Sequence, residues 1–286
     1  MIRRPSRVAR ALAVVAAVAL ALTASGCGLA DKGPPMQFDH PNPSGPAVPL
    51  AVYIHGGAWS AGDKLKDGYY NLVRPKLLAQ GVAVTSIDYR FAPRDPFPAQ
   101  IIDVAYAVRY LRANAKRLRI DPDRIAAFGT SAGGHLASLL GTVDRSAGFD
   151  VGALKSTSSR VKAVVDISGP VDLTDTAFPE VTDISIQVAF GVIGGTAGDP
   201  ALVKASPLAY VSTGDAPFLV VHGTVDELVP NEQSVRFASQ LKGAGVPVEL
   251  VTVIGGDHSL TATGQRPPPD QVADRIASFL ITELRR

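Results

Sequence analysis

Ile125-Ala126-Ala127-Phe128-Gly129-Thr130-Ser131-Ala132-Gly133-Gly134-His135-Leu136-Ala137 opens as a short apolar run and continues as small residues with helical spacing. The change of period falls on Gly129-Thr130-Ser131-Ala132-Gly133, so a strand must turn directly into a helix there. A turn that sharp strains the residue at its apex, and side chains two positions away on either side would collide, which accounts for both glycines. Ser131 therefore stands where a hydroxyl is held clear of the backbone. The plainer alternative is a Gly-rich turn with a capping serine.

Working outward, apolar β-rich runs alternate with amphipathic stretches about five times, as in a parallel sheet covered by helices on both faces. The expected strands are 50–54, 82–88, 125–129, 161–167, 218–221 and 248–253, and the expected helices 69–80, 99–118, 132–140, 232–243 and 270–284. Between Gly169 and Pro207 periodicity fades and Gly, Asp, Thr and Pro accumulate, so a short irregular cap segment is expected over one end of the sheet. The part from Asp172 to Ser206 is expected to shape a substrate pocket. With 46% hydrophobic and 19% charged residues, the chain can bury a sizeable core.

The first 26 residues stand apart. Arg3, Arg4, Arg7 and Arg10 precede an apolar run from Ala11 to Leu22, the pattern of an export signal too short for a permanent membrane span, with a retained membrane anchor as the alternative. Ala24-Ser25-Gly26-Cys27 resembles a lipobox, with Ala24 where Leu is usual, so Cys27 is a site for lipidation and cleavage after Ala24 or Ala30 is the alternative. Acylation would account for a single cysteine in an oxidising compartment and would anchor an exported lipoprotein to the cell membrane, facing outward; otherwise the protein would be secreted. Residues 27–49, with Pro34, Pro35, Pro41, Pro43, Pro46 and Pro49, read as a proline-rich tether, and 50–286 as one catalytic domain. The signal carries four arginines and no acid, so its removal takes the formal charge from +2 to −2. No basic patch with interleaved aromatics remains, so no nucleic-acid partner is expected.

A serine nucleophile needs a base that both takes a proton and returns it, which suits histidine. Of five histidines, His40 lies in the tether, His55 precedes two glycines, His135 sits one helical turn past Ser131, and His222 ends a strand. His258, in Gly255-Gly256-Asp257-His258-Ser259 after the last strand, has the chain position of the base. Asp226, in the loop after the preceding strand, is the acid expected to orient it, with Glu227 and Asp257 as rivals. His55-Gly56-Gly57-Ala58-Trp59 follows the first strand. There the N–H groups of Gly57 and Ala58, with that of Ala132, are expected to form an oxyanion hole, with His55 bracing the loop.

These motifs, together with Asp88-Tyr89-Arg90-Phe91-Ala92-Pro93, Gly129-Thr130-Ser131-Ala132-Gly133-Gly134-His135 and His222-Gly223 with Val229-Pro230, resemble the α/β-hydrolase fold. The likeness is to its hormone-sensitive-lipase-like and feruloyl- or acetyl-esterase-like (BD-FAE-like) branches. The resemblance implies a serine carboxylesterase acting on small-molecule or polymer-borne esters through an acyl-enzyme on Ser131, without metal or organic cofactor. Asp88, Arg90 and Asp103 would then be structural. The short stretch from Cys27 to His55 leaves no room for both an opening strand hairpin and the helical cap that hormone-sensitive-lipase relatives carry ahead of the oxyanion loop, which favours the feruloyl- or acetyl-esterase-like branch over a long-chain lipase. An amide hydrolase (arylformamidase or peptidase) using the same triad is a second reading, and an inactive surface binding protein on a hydrolase scaffold a third.

Overall fold

The structure, a computed structural model, describes residues 33–65, 68–194 and 198–286. The expected signal, Cys27 and the start of the tether lie outside the described residues. Seven described strands form one sheet: β1 Met36–Asp39, β2 Val48–Ile54, β3 Ala83–Ile87, β4 Ile120–Thr130, β5 Val164–Ile167, β6 Phe218–Gly223 and β7 Val248–Val253. Their order is β1-β3-β2-β4-β5-β6-β7. Only β1 runs antiparallel to its neighbour; every other adjacent pair is parallel.

Because both faces of the sheet are covered, successive residues of a strand are buried alternately on opposite sides, and the strands read as unbroken apolar runs. In β6, Phe218 and Val220 pack on one side with α2 (Ala99–Ala113), α4 (Ala132–Thr142) and α7 (Asn231–Gly243). Leu219 and Val221 pack on the other with α1 (Gly68–Ala79) and α8 (Pro269–Arg285). A short helix α3 (Ala115–Leu118) follows α2, separated from it by Asn114. Parallel strands bring their carboxyl ends to one edge, so the loops after β2, β4, β6 and β7 meet there.

Two expectations need correction. Residues 36–49 are not a tether: β1 pairs with β3 from Met36↔Ile87 to Asp39↔Val84. The Arg74 guanidinium grips Asp39 through two 2.8 Å bonds, and Arg119 Nη1 donates to the Gly45 carbonyl at 2.8 Å. None of the prolines lies within β1: Pro41, Pro43 and Pro46 fall in the loop after it, and Pro49 enters β2 where the register with β4 shifts between Val48 and Leu50. The segment after Gly169 is also more regular than expected, since it contains α5 (Glu180–Phe190) and α6 (Pro200–Ala205). Asp199 caps α6 by accepting from Ala201 N–H, with Pro200 in the first turn. Among the described residues no helix is long and apolar enough to cross a membrane.

Candidate active site

β4 ends at Thr130 and α4 begins at Ala132, leaving Ser131 alone to make the turn, at φ 57° and ψ −122°. This strained backbone is held from both sides. Ser131 N–H donates to the Ile167 carbonyl at 2.8 Å, and the Ser131 carbonyl accepts from His135 N–H at 3.0 Å. A Cβ on Gly133 would stand 2.0 Å from the Ile54 carbonyl oxygen, and one on Gly129 would stand 2.3 Å from that of Gly133. The helix can pack this closely on β2 only without side chains there.

Ser131 Oγ lies 2.9 Å from His258 Nε2, and His258 Nδ1 lies 2.8 Å from Asp226 Oδ2. Their order along the chain follows the order of the strands that carry them. The Asp226 carboxylate is inaccessible to solvent, while the His258 side chain keeps 18% of its exposure. Oδ1 of Asp226 accepts from the N–H groups of Leu228 and Val229, each at 2.8 Å. Burial alone would raise this carboxyl. Hydrogen bonds from His222 and His258, the His258 charge and the Val229 N–H more than offset it, holding the group well below the usual carboxylate range. An ionised Asp226 favours Nδ1–H on His258, leaving Nε2 to accept the serine proton. Of the rival acids, Glu227 is exposed and Asp257 turns to accept from Thr261 N–H at 3.0 Å.

The loop after β2 lies against this turn: a Cβ on Gly56 would stand 3.0 Å from the Thr130 carbonyl and 3.4 Å from Ser131 Cβ. Gly57 has φ +116°, and its carbonyl accepts from Ser60 and Ala61 N–H within the loop. In a trans peptide the Ala58 N–H points the opposite way from that carbonyl, out of the turn. Ala132 N–H is in the first turn of α4, among the donors that a helix leaves unpaired at its N-terminus. His55 braces the loop. Its Nδ1 lies 2.7 Å from the Gly56 carbonyl, and its ring stacks on Tyr89 at 4.4 Å.

The other expected scaffold residues are paired away from the reacting atoms. Arg90 grips Asp103 and Lys64 bonds Asp88. His135 is wholly buried; its Nδ1 accepts from Trp59 Nε1 at 3.1 Å, and its Nε2 donates to the Ala205 carbonyl at 2.7 Å. Burial drives its imidazole down to about 4, against the bond to Ala205, so it is neutral near pH 7. Beneath the serine turn, burial pushes the Asp166 carboxyl up to about 6, opposed by the Ser138 hydroxyl, the nearby His222 imidazole and Gly169 N–H. His222 has more contacts than its position at a strand end suggested: its Nε2 is 3.0 Å from Asp226 Oδ2. Its spacing of four residues from the acid was the available signal. Among the described residues no group of three or more His, Cys, Asp or Glu side chains is placed to hold a metal ion.

A doubly wound, mostly parallel sheet with a strained serine after β4 and a histidine and buried aspartate on the later loops defines an α/β-hydrolase. A family model, BD-FAE, matches residues 36–241, and the chain belongs to that family. The esterase LipC of Mycobacterium tuberculosis is 35% identical over 83% of this chain and 59% of its own length. Two solved structures share the fold with a TM-score of 0.72. A truncated carbohydrate esterase from gut microbiota is 28% identical over 88% of this chain and 91% of that one. An acetyl ester-xyloside bifunctional hydrolase from Caldicellulosiruptor lactoaceticus is 26% identical over 90% of each. The chain spans 45% to 59% of the length of three curated esterase relatives that it matches.

Proposed function

We propose that the protein is a serine carboxylesterase, and the observation that carries this is the continuous hydrogen-bonded line Asp226–His258–Ser131, with distances of 2.8 and 2.9 Å. Ser131 Oγ attacks the ester carbonyl while His258 Nε2 takes its proton. The tetrahedral oxyanion is met by the N–H groups of Gly57, Ala58 and Ala132, each worth about 2.7 to 4 kcal/mol in a preorganised site. His258 then protonates the departing alcohol, and a water activated by the same imidazole releases the acid from the acyl-serine. Asp226, ionised and buried, holds the tautomer and stabilises the imidazolium.

Short to medium acyl esters, including acetyl and feruloyl types, fit the family and the carbohydrate- and acetyl-ester-cleaving relatives. The protein is exported and held outside the membrane by acylation of Cys27; the arginine-flanked apolar run and the Cys27 sequence support this. The mass of the mature amino terminus checks it: acyl chains on Cys27 are expected, and an unmodified terminus after Ala24 or Ala30 would contradict it.

The decisive assay is hydrolysis of p-nitrophenyl esters from acetate to palmitate, beside Ser131→Ala and a matched anilide. Turnover of short esters is expected, reduced about a thousandfold or more in the variant. A folded wild type that cleaves the anilide and no ester would replace this reading with amide hydrolysis.

A further inference from the structure

We propose that His222 is a positioning residue for Asp226, so that two imidazoles share one carboxylate and the second sets how strongly that carboxylate pulls on the first. The inference rests on the triad reading above. His222 is the penultimate residue of β6 and is fully buried. Its Nε2 lies 3.0 Å from Asp226 Oδ2, the same oxygen that His258 Nδ1 reaches at 2.8 Å, and 3.0 Å from the Val229 carbonyl. Its Nδ1 lies 2.6 Å from Ser234 Oγ in the first turn of α7.

This arrangement admits one neutral tautomer. Two acceptors face Nε2, the carboxylate oxygen and a carbonyl, so the ring proton sits there; a bare Nε2 would set three lone pairs against one another in a dry interior. Nδ1 must then accept, and the Ser234 hydroxyl donates to it. Ser234 fixes the tautomer, His222 fixes both ends of the 226–229 turn, and the turn holds the acid against His258. The titratable groups facing His222 are Asp226 itself, His258 across that carboxylate, and Asp166 of β5, whose field reaches it.

The electrostatic consequence has a definite sign. A donor at Oδ2 spreads the carboxylate charge and weakens the attraction that keeps a proton on His258. Without it, Asp226 pulls harder, His258 stays protonated to higher pH, and less of the enzyme carries a free base at neutral pH.

The test compares His222→Phe, which keeps the ring volume but has no donor, with His222→Gln, whose amide nitrogen can stand in for Nε2, and with Ser131→Ala. In His222→Phe the acid limb of kcat/KM moves up by about one pH unit, which lowers the rate below that limb about tenfold and lets it recover as pH rises. His222→Gln restores the limb. An unmoved limb in a folded His222→Phe, or equal impairment in both His222 variants, would overturn the positioning role while loss of activity in Ser131→Ala left the triad standing. Full activity in Ser131→Ala would remove the triad and this inference with it. Nitrogen-15 spectra of the wild-type imidazoles give a reading free of turnover: His222 is expected with bare Nδ1 and protonated Nε2, and a proton on Nδ1 overturns the proposal.

Discussion

The turns after β2 and β4 and the long crossover between β5 and β6 flank the same edge of the sheet but are built in opposite ways. At the turns, backbone meets backbone: a Cβ on Gly133 would lie 2.0 Å from one carbonyl oxygen and one on Gly57 2.2 Å from another. In the crossover, side chains make the contacts. Gln233 reaches across to accept from the N–H groups of Val171 and Asp172, the Ser206 hydroxyl accepts from Leu173 N–H, and Phe178, Ile186, Phe190 and Leu202 plug into the core. Gly198 in the crossover would meet nothing within 4 Å on gaining a side chain, and Gly191 and Gly194 are constrained by their positive φ rather than by neighbouring backbone. A region held by backbone sterics admits one sequence solution at key positions, whereas one held by side-chain packing admits many of similar volume.

Gly133→Ala breaks this comparison hardest. The new methyl collides with β2 backbone on one side and has the helix behind it, so neither rotamer choice nor a flexible neighbour can relieve it. A loss of about 3 kcal/mol or more is expected. Thermal melting and ester turnover should both collapse, and a variant with wild-type melting and rate would show that the serine turn tolerates a side chain after all.

Asp166→Asn sharpens the contrast from the electrostatic side, because the serine turn is built over a carboxylate that is wholly buried. Burial raises the group from 3.8 to about 6. A folded-state value above the unfolded one means the carboxyl favours the fold fully below about pH 4, and this advantage is lost as pH rises through about 6. The whole change is worth roughly 3 kcal/mol. The wild type should therefore lose melting temperature between about pH 4 and 6 through this group, and Asp166→Asn should flatten that part of the profile. Identical profiles would mean that Asp166 does not titrate in the window.

The same contrast explains what could be read from the chain before its structure. Gly129, Ser131, Gly133, Gly56 and Gly57 are legible because local backbone geometry admits nothing else, and His258 and Asp226 because strand order fixes which loops reach the serine. β7 could be bounded to the residue, Val248–Val253, by its β-branched run. By contrast, α5 and α6 were not legible. Their faces are apolar only in relation to the core residues they meet, Gly and Pro surround them, and α6 is six residues long. β1 was hidden for a related reason: four residues among prolines gain their pairing from β3, some fifty positions away. His222 was the third omission, since its contact with Asp226 depends on how the 226–229 turn folds back.

The smallest of these effects lies where the two regions touch. Trp59, in the loop after β2, packs edge-on against Phe190 at 5.0 Å and donates from Nε1 to His135, whose other nitrogen holds the Ala205 carbonyl at the end of α6. One neutral ring therefore ties the backbone-built turn to the side-chain-built crossover. Trp59→Phe keeps an aromatic ring in place but leaves His135 Nδ1 buried without a donor, at a cost of about 2 kcal/mol. Rotating the ring to recover a bond would release Ala205 instead. Melting should fall by about 4 to 8 °C, and limited proteolysis should cut residues 172–211 sooner than residues 129–142. Equal protection of both stretches would mean the crossover is anchored without His135, by Gln233 and the core aromatics alone.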